Sequence, residues 1–104
     1  MRIPKLYWRG SGLGGHIIKD NWKGFPRFRL LQLTEGKEDI MEIGFSQILY
    51  CESIYNQCDE KKIIEELGER AKPKKEPFEM IYKYKFLLDI VRKSIEVIVW
   101  YLNG

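Results

Sequence analysis

From residue 78 to residue 102 the chain carries neither glycine nor proline. A run of this length without a breaker has few ways to fold. At about 100° per residue, Met80, Ile81, Tyr84, Leu87, Leu88, Val91, Ile95, Ile98, Val99 and Leu102 fall on one broad face. Glu79, Lys83, Lys85, Asp89, Arg92, Lys93 and Glu96 fall opposite them. The spacing predicts one long amphipathic helix over 78–102, ended by Asn103-Gly104. One alternative stays open: residues 95–102 are rich in β-branched and aromatic side chains and could form a strand, although the unbroken chain at Arg92-Lys93-Ser94 favours continuous helix. Tyr82, Phe86, Ile90, Val97 and Trp100 lie near the polar side of the wheel or at its margin. Together they exceed what one buried face needs. A connected apolar stripe of this kind points to a second contact. It predicts either a homo-oligomer, as a homodimer through this helix, or the docking of a partner protein. The charged residues interspersed in the run exclude a transmembrane span, so no membrane partner is expected.

Upstream, residues 73–77 form a linker between two prolines, and Pro77 suits a first helical turn. Before it, 58–72 reads as a helix: Asp59 is a good N-cap, and Ile63, Ile64, Leu67 and Ala71 recur at helical spacing. Residues 1–57 read as mainly β. Strands are expected at 2–8, 16–19, 27–34 and 39–45, the last two joined as a hairpin by Glu35-Gly36-Lys37. Met41, Ile43 and Phe45 would then face the core. At 104 residues the chain fits a single domain, 1–104. The fold expected is α+β: a small antiparallel sheet of three to five strands in the first half, packed against two C-terminal helices.

A hydrophobic content of 44% is too high for intrinsic disorder. The opening residues lead into no apolar leader, and only two cysteines, Cys51 and Cys58, occur. Both features point to an intracellular, cytoplasmic setting in which the thiols stay reduced; the alternative is a Cys51–Cys58 disulfide. Charge is uneven along the chain. Net charge is +6 over residues 1–33, −6 over 34–71 and +3 over 72–104.

The basic first third interleaves cations with rings. On a sheet, Trp8, Trp22 and Phe25 would stack on bases while Arg9, Lys19, Lys23, Arg27 and Arg29 neutralise phosphates. Strand alternation cuts against this, because it sends Arg27 and Arg29 to the face opposite Phe28. Gly10-Ser11-Gly12-Leu13-Gly14-Gly15 matches a dinucleotide fingerprint by letter. The residues after it are too short and turn-rich for the helix that fingerprint requires, so a flexible connection is the better reading. Cys51, Cys58 and the lone His16 do not have metal-ligand spacing, so no metal and no cofactor is expected. One histidine excludes a two-histidine nuclease, and Gly44-Phe45-Ser46 is no nucleophile elbow. No catalytic residue is assigned. The residues therefore support a small non-catalytic interaction protein with nucleic acid as one candidate partner. A protein-targeting inhibitor or adaptor is the alternative, and a small hydrolase centred on His16 a minor one.

Overall fold

The computed structural model describes residues 2–52, 57–90 and 97–101, with 89, 90 and 97–101 described by their backbone. Strand β1 spans Ile3–Gly12, helix α1 Pro26–Leu33, strand β2 Met41–Ile48, helix α2 Glu60–Leu67, strand β3 Tyr84–Ile90 and strand β4 Val97–Tyr101. Short 3-10 turns occupy Asn21–Gly24, Glu69–Ala71 and Phe78–Lys83. The sheet order is β2-β1-β3-β4.

The antiparallel sheet expected from the sequence is not what forms. β1 pairs in parallel with β2 on one side and with β3 on the other, so these three strands are entirely parallel. Only the outlying β3–β4 pair is antiparallel. Parallel neighbours need a crossover connection, and α1 supplies it between β1 and β2. The expected hairpin of 27–34 with 39–45 fails for the same reason, because 27–34 lies almost wholly in that helix. Pro26 sits in the first helical turn, where its missing N–H costs nothing. Phe28 and Leu31, three apart, point into the core. The short run over residues 27–31 is compatible with period 2 and period 3.6 alike, and the strand expectation followed period 2.

The pair of C-terminal helices is corrected too. α2 lies within the expected 58–72 helix, with the Asp59 side chain accepting from Lys61 N as its cap. The long helix over 78–102 does not form. One 3-10 stretch ends at Lys83, and the chain is extended from Tyr84. β-branched and aromatic side chains in Tyr84–Ile90 and Val97–Tyr101 fit a pleated surface, and β1 offers a pairing edge that a lone helix would leave unused. The strand alternative for the last segment describes Val97–Tyr101.

One face of the sheet holds the core. Trp22, Phe28, Leu31, Ile43, Phe45, Ile63, Leu67, Ala71 and Leu88 form a single buried cluster, with Leu6 and Trp8 packed against it. The rings interlock edge to face: Phe28 meets Phe45 at 5.0 Å and Phe25 at 5.9 Å between centroids, and Trp8 meets Phe45 at 6.2 Å. This packing explains part of the glycine run. β1 continues through Gly10 and Gly12, and a Cβ on Gly12 would lie 2.9 Å from the Phe45 ring and 3.1 Å from Phe28. Gly12 is there to let rings approach the backbone.

Cys51 and Cys58 are disulfide-bonded, which corrects the expectation of two reduced thiols. Such a bond is uncommon in a reducing cytoplasm. It ties the segment after β2 to the start of α2, beside fully buried Ile17, whose N–H donates to Tyr50 O at 3.0 Å. The bond spans a sequence separation of 7. Reducing it is expected to lower stability by about 2–3 kcal/mol, the loop-closure entropy returned to the unfolded chain. Urea midpoints of the oxidised and reduced protein measure this directly. Among the described residues, no helix is long and apolar enough to cross a membrane.

Candidate binding face

Alternation along β1 and β2 sends Trp8, Ile43 and Phe45 to the core and therefore Tyr7, Arg9, Glu42 and Gly44 to the opposite face. That face is crossed by residues 72–77, an extended strap with prolines at 73 and 77. The Glu69–Ala71 turn delivers the strap past β2, the end strand of the sheet, and Lys74 N donates to Phe45 O at 3.1 Å. Arg70 anchors the turn. Its guanidinium donates to Thr34 Oγ1 at 2.7 Å and to Leu31 O, closing the C-terminus of α1, and it lies 3.7 Å from Glu38.

Arg9 is the centre of the face. Its Nε lies 2.5 Å from Glu76 Oε1 in the strap, its Nη1 donates to Phe45 O at 3.1 Å, and its Nη2 is 3.6 Å from Glu42 Oε1. The Arg9 and Glu76 side chains are 9% and 10% exposed, whereas Glu42 keeps 41%. Nε has no well-aligned acceptor, so the Glu76 contact is an ion pair and not a linear hydrogen bond. Gly44 makes this arrangement possible. A Cβ there would sit 2.6 Å from Arg9 Nη1 and 2.9 Å from Arg70 O.

Tyr7 OH donates to Glu76 Oε1 at 3.4 Å, and its ring stacks on Tyr84 with centroids 4.6 Å apart. Both phenols are held above their ordinary value of 10.0. Burial is the main cause in each. For Tyr7 the Glu76 charge adds to it, for Tyr84 those of Glu42 and then Glu76, and Arg9 opposes both. Above the ordinary value the unfolded chain releases these protons before the folded chain does. Their contribution to stability is therefore full below pH 10.0 and lost as pH rises through the raised folded values. Tyr7→Phe and Tyr84→Phe are each expected to flatten that alkaline loss, read from urea midpoints between about pH 8 and about pH 11.

Two clefts border the strap, one along residues 72–74 and one along 75–77, and Arg9 lines both. One, of about 420 Å³, is bounded by Arg9, Glu42, Glu69, Arg70, Lys72, Pro73 and Lys74. The other, of about 340 Å³, is bounded by Tyr7, Arg9, Ser46, Lys75, Glu76, Pro77, Phe78 and Ile81. Phe78 lines the second, and its ring meets that of Tyr82 edge to face with centroids 6.3 Å apart, the two residues being 71% and 57% exposed.

The residues expected to bind nucleic acid do not come together as a platform of rings and cations. Trp22 is buried in the core, with Lys23 over its ring and paired to Glu66 at 3.3 Å. Half-buried Phe25 packs on Phe28. Trp8 faces the core with the Arg27 guanidinium 6.0 Å from its ring, and Arg27 donates to Ser11 O. Arg9 is drawn into the buried ion pair, while Lys19 and Arg29 are exposed. His16 is exposed near the Tyr50 ring, with centroids 4.9 Å apart. Of the expected interface residues, Tyr82 is exposed and Phe86 lies half-buried in β3. The Ile90, Val97 and Trp100 side chains lie outside the described residues. Among the described residues, no group of three His, Cys, Asp or Glu side chains could hold a metal ion.

The sequence reading did not assign Tyr7, Glu76, Phe78 or Tyr84 to a site. Tyr7 and Glu76 are 69 positions apart, so no local pattern pairs them. One signal was available: Glu76 is the only acid in an otherwise Lys- and Pro-only segment, and an aromatic follows it two residues on. No family model matches this chain, and neither does any curated protein or solved structure.

Proposed function

We propose that this chain is a small non-catalytic interaction protein that binds an extended segment of a partner protein across the strapped face of its sheet. The observation that carries the reading is the exposed pair of Phe78 and Tyr82 rings, of which Phe78 lines the 340 Å³ cleft. Scattered apolar residues on a surface are ordinary, but two adjacent aromatic rings beside a cleft are the kind of group that anchors interfaces. Ile81 and Tyr7 continue the apolar lining inward, and Lys75 stands at the rim. A nucleic-acid partner has less support, because Trp22 offers no free ring face for a base to stack on.

A photo-crosslinking amino acid placed at Phe78 or at Tyr82 tests this in the source cells. The expected result is a discrete protein adduct from both positions and none from exposed Glu65 on α2. With that partner purified, Phe78→Ser combined with Tyr82→Ser is expected to weaken binding at least about 30-fold, the loss of a two-residue hot spot. Adducts with nucleic acid, or the same background from all three positions, would sink the reading. An adduct at twice the chain's own mass would replace the partner with a second copy.

A further inference from the structure

We propose that the Arg9 guanidinium is a carboxylate receptor, filled here by Glu76, so that the strap of residues 72–77 is a resident pseudo-ligand. An acidic partner segment would enter by displacing it. This second step rests on the protein-binding reading above; the receptor itself does not.

Four observations carry it. First, the guanidinium is fixed independently of Glu76. Nη1 is held by Phe45 O, and the group lies against Gly44, where any side chain would collide with it. Second, Glu76 fills the receptor imperfectly. An arginine–carboxylate pair is strongest as two parallel hydrogen bonds. Here a single oxygen approaches Nε off the line of its N–H. An unconstrained carboxylate can adopt the forked geometry on Nε and Nη2, since Glu42, 3.6 Å from Nη2 and 41% exposed, is free to turn to water. Third, the clefts along the two halves of the strap both reach Arg9, so removing the strap would join them with the guanidinium on the shared floor. Fourth, the strap is lightly held. Within 72–77 only Glu76 is withdrawn from solvent. Lys74 N contributes its one bond to Phe45 O, and Pro73 and Pro77 have no N–H with which to pair the strap as a strand.

Two measurements on the full chain test the two steps. Glu76→Ala vacates the Nε side of the guanidinium, leaving only half-exposed Glu42 near Nη2, and is expected to lower the melting temperature. Sodium formate, compared with sodium chloride at equal ionic strength, is then expected to raise it again by about 5 °C or more. Arg9→Met in the same background is expected to abolish the difference between the salts. If Glu76→Ala does not fold, Glu76→Gln keeps the volume and gives the same comparison. Equal effects of formate and chloride, or a formate effect that survives Arg9→Met, would overturn the receptor.

For displacement the probe is a hexaglutamate peptide. Glu76→Gln is expected to bind it at least about tenfold more tightly than the wild type, since the wild type must first eject its own carboxylate. Glu79→Gln, an exposed site with the same charge change, is expected to bind it as the wild type does. Equal affinity of the Glu76→Gln and Glu79→Gln variants would overturn displacement. Formate rescue involves no partner, so it succeeds or fails separately from the crosslinking at Phe78 and Tyr82.

Discussion

Arg9→Met is expected to cost about 3–5 kcal/mol of folding stability, far more than the loss of one surface charge. Removing the cation leaves Glu76, 10% exposed, without its counter-ion, and leaves the nearby Glu42 carboxylate unopposed. Phe45 O also loses its Nη1 donor. Glu42 is 41% exposed and can turn to water, so its share is small. The penalty sits with Glu76. This makes the prediction specific: in the double variant Arg9→Met, Glu76→Gln the stranded charge is gone, and about half or more of the loss should return. Chemical denaturation of the wild type, both single variants and the double variant gives the coupling energy. Additive losses would mean that the pair does not act as a buried ion pair. The contrast with Lys23–Glu66 is instructive. Both of those side chains are 50% exposed, and breaking that pair is expected to cost about 0–1 kcal/mol.

The second large effect is in the core. Phe28→Ala is expected to cost about 3–5 kcal/mol, from lost burial and from the cavity left behind. Phe28 is fully buried, and its ring touches those of Trp22, Phe25 and Phe45, so few neighbours can move to fill the space. Domains of this size are stable by only about 5–15 kcal/mol, so the variant should populate its unfolded state at temperatures where the wild type does not. Leu33, five residues on in the same helix and turned to solvent, is 58% exposed, and Leu33→Ala should change stability by no more than about 0.5 kcal/mol. Thermal melts of the two variants make the comparison. Equal losses would contradict the burial difference within α1; the pair that tells helix from strand is Phe28 and Leu31, which are both buried here and would lie on opposite faces of a strand.

The α1 comparison also shows how far the sequence could be read. Hydrophobic content required a packed core, and Phe28, Ile43, Phe45, Ile63 and Leu67 all belong to it. The 3.6 period from Ile63 to Ala71, opened by Asp59, gave the helix α2 because cap and periodicity agreed over two turns. Where two periods fitted equally, as over residues 27–31, the local pattern had no means of choosing. Where no breaker occurred, as between residues 78 and 102, it chose a helix that the sheet did not need.

What the chain determines by itself is local: its apolar inventory, the cap and stripe of α2, the proline-bounded strap and the uneven distribution of charge. Tertiary structure decided the rest. Strand pairing is a non-local contact, so only the fold could make β1 the centre of a parallel sheet. Only the fold could turn Trp22 inward, away from any ligand, and bring Glu76 across the sheet to Arg9. The physical reason is the same in each case. A buried ring or ion gains its free energy from neighbours distant in sequence, and those neighbours exist only once the chain has closed.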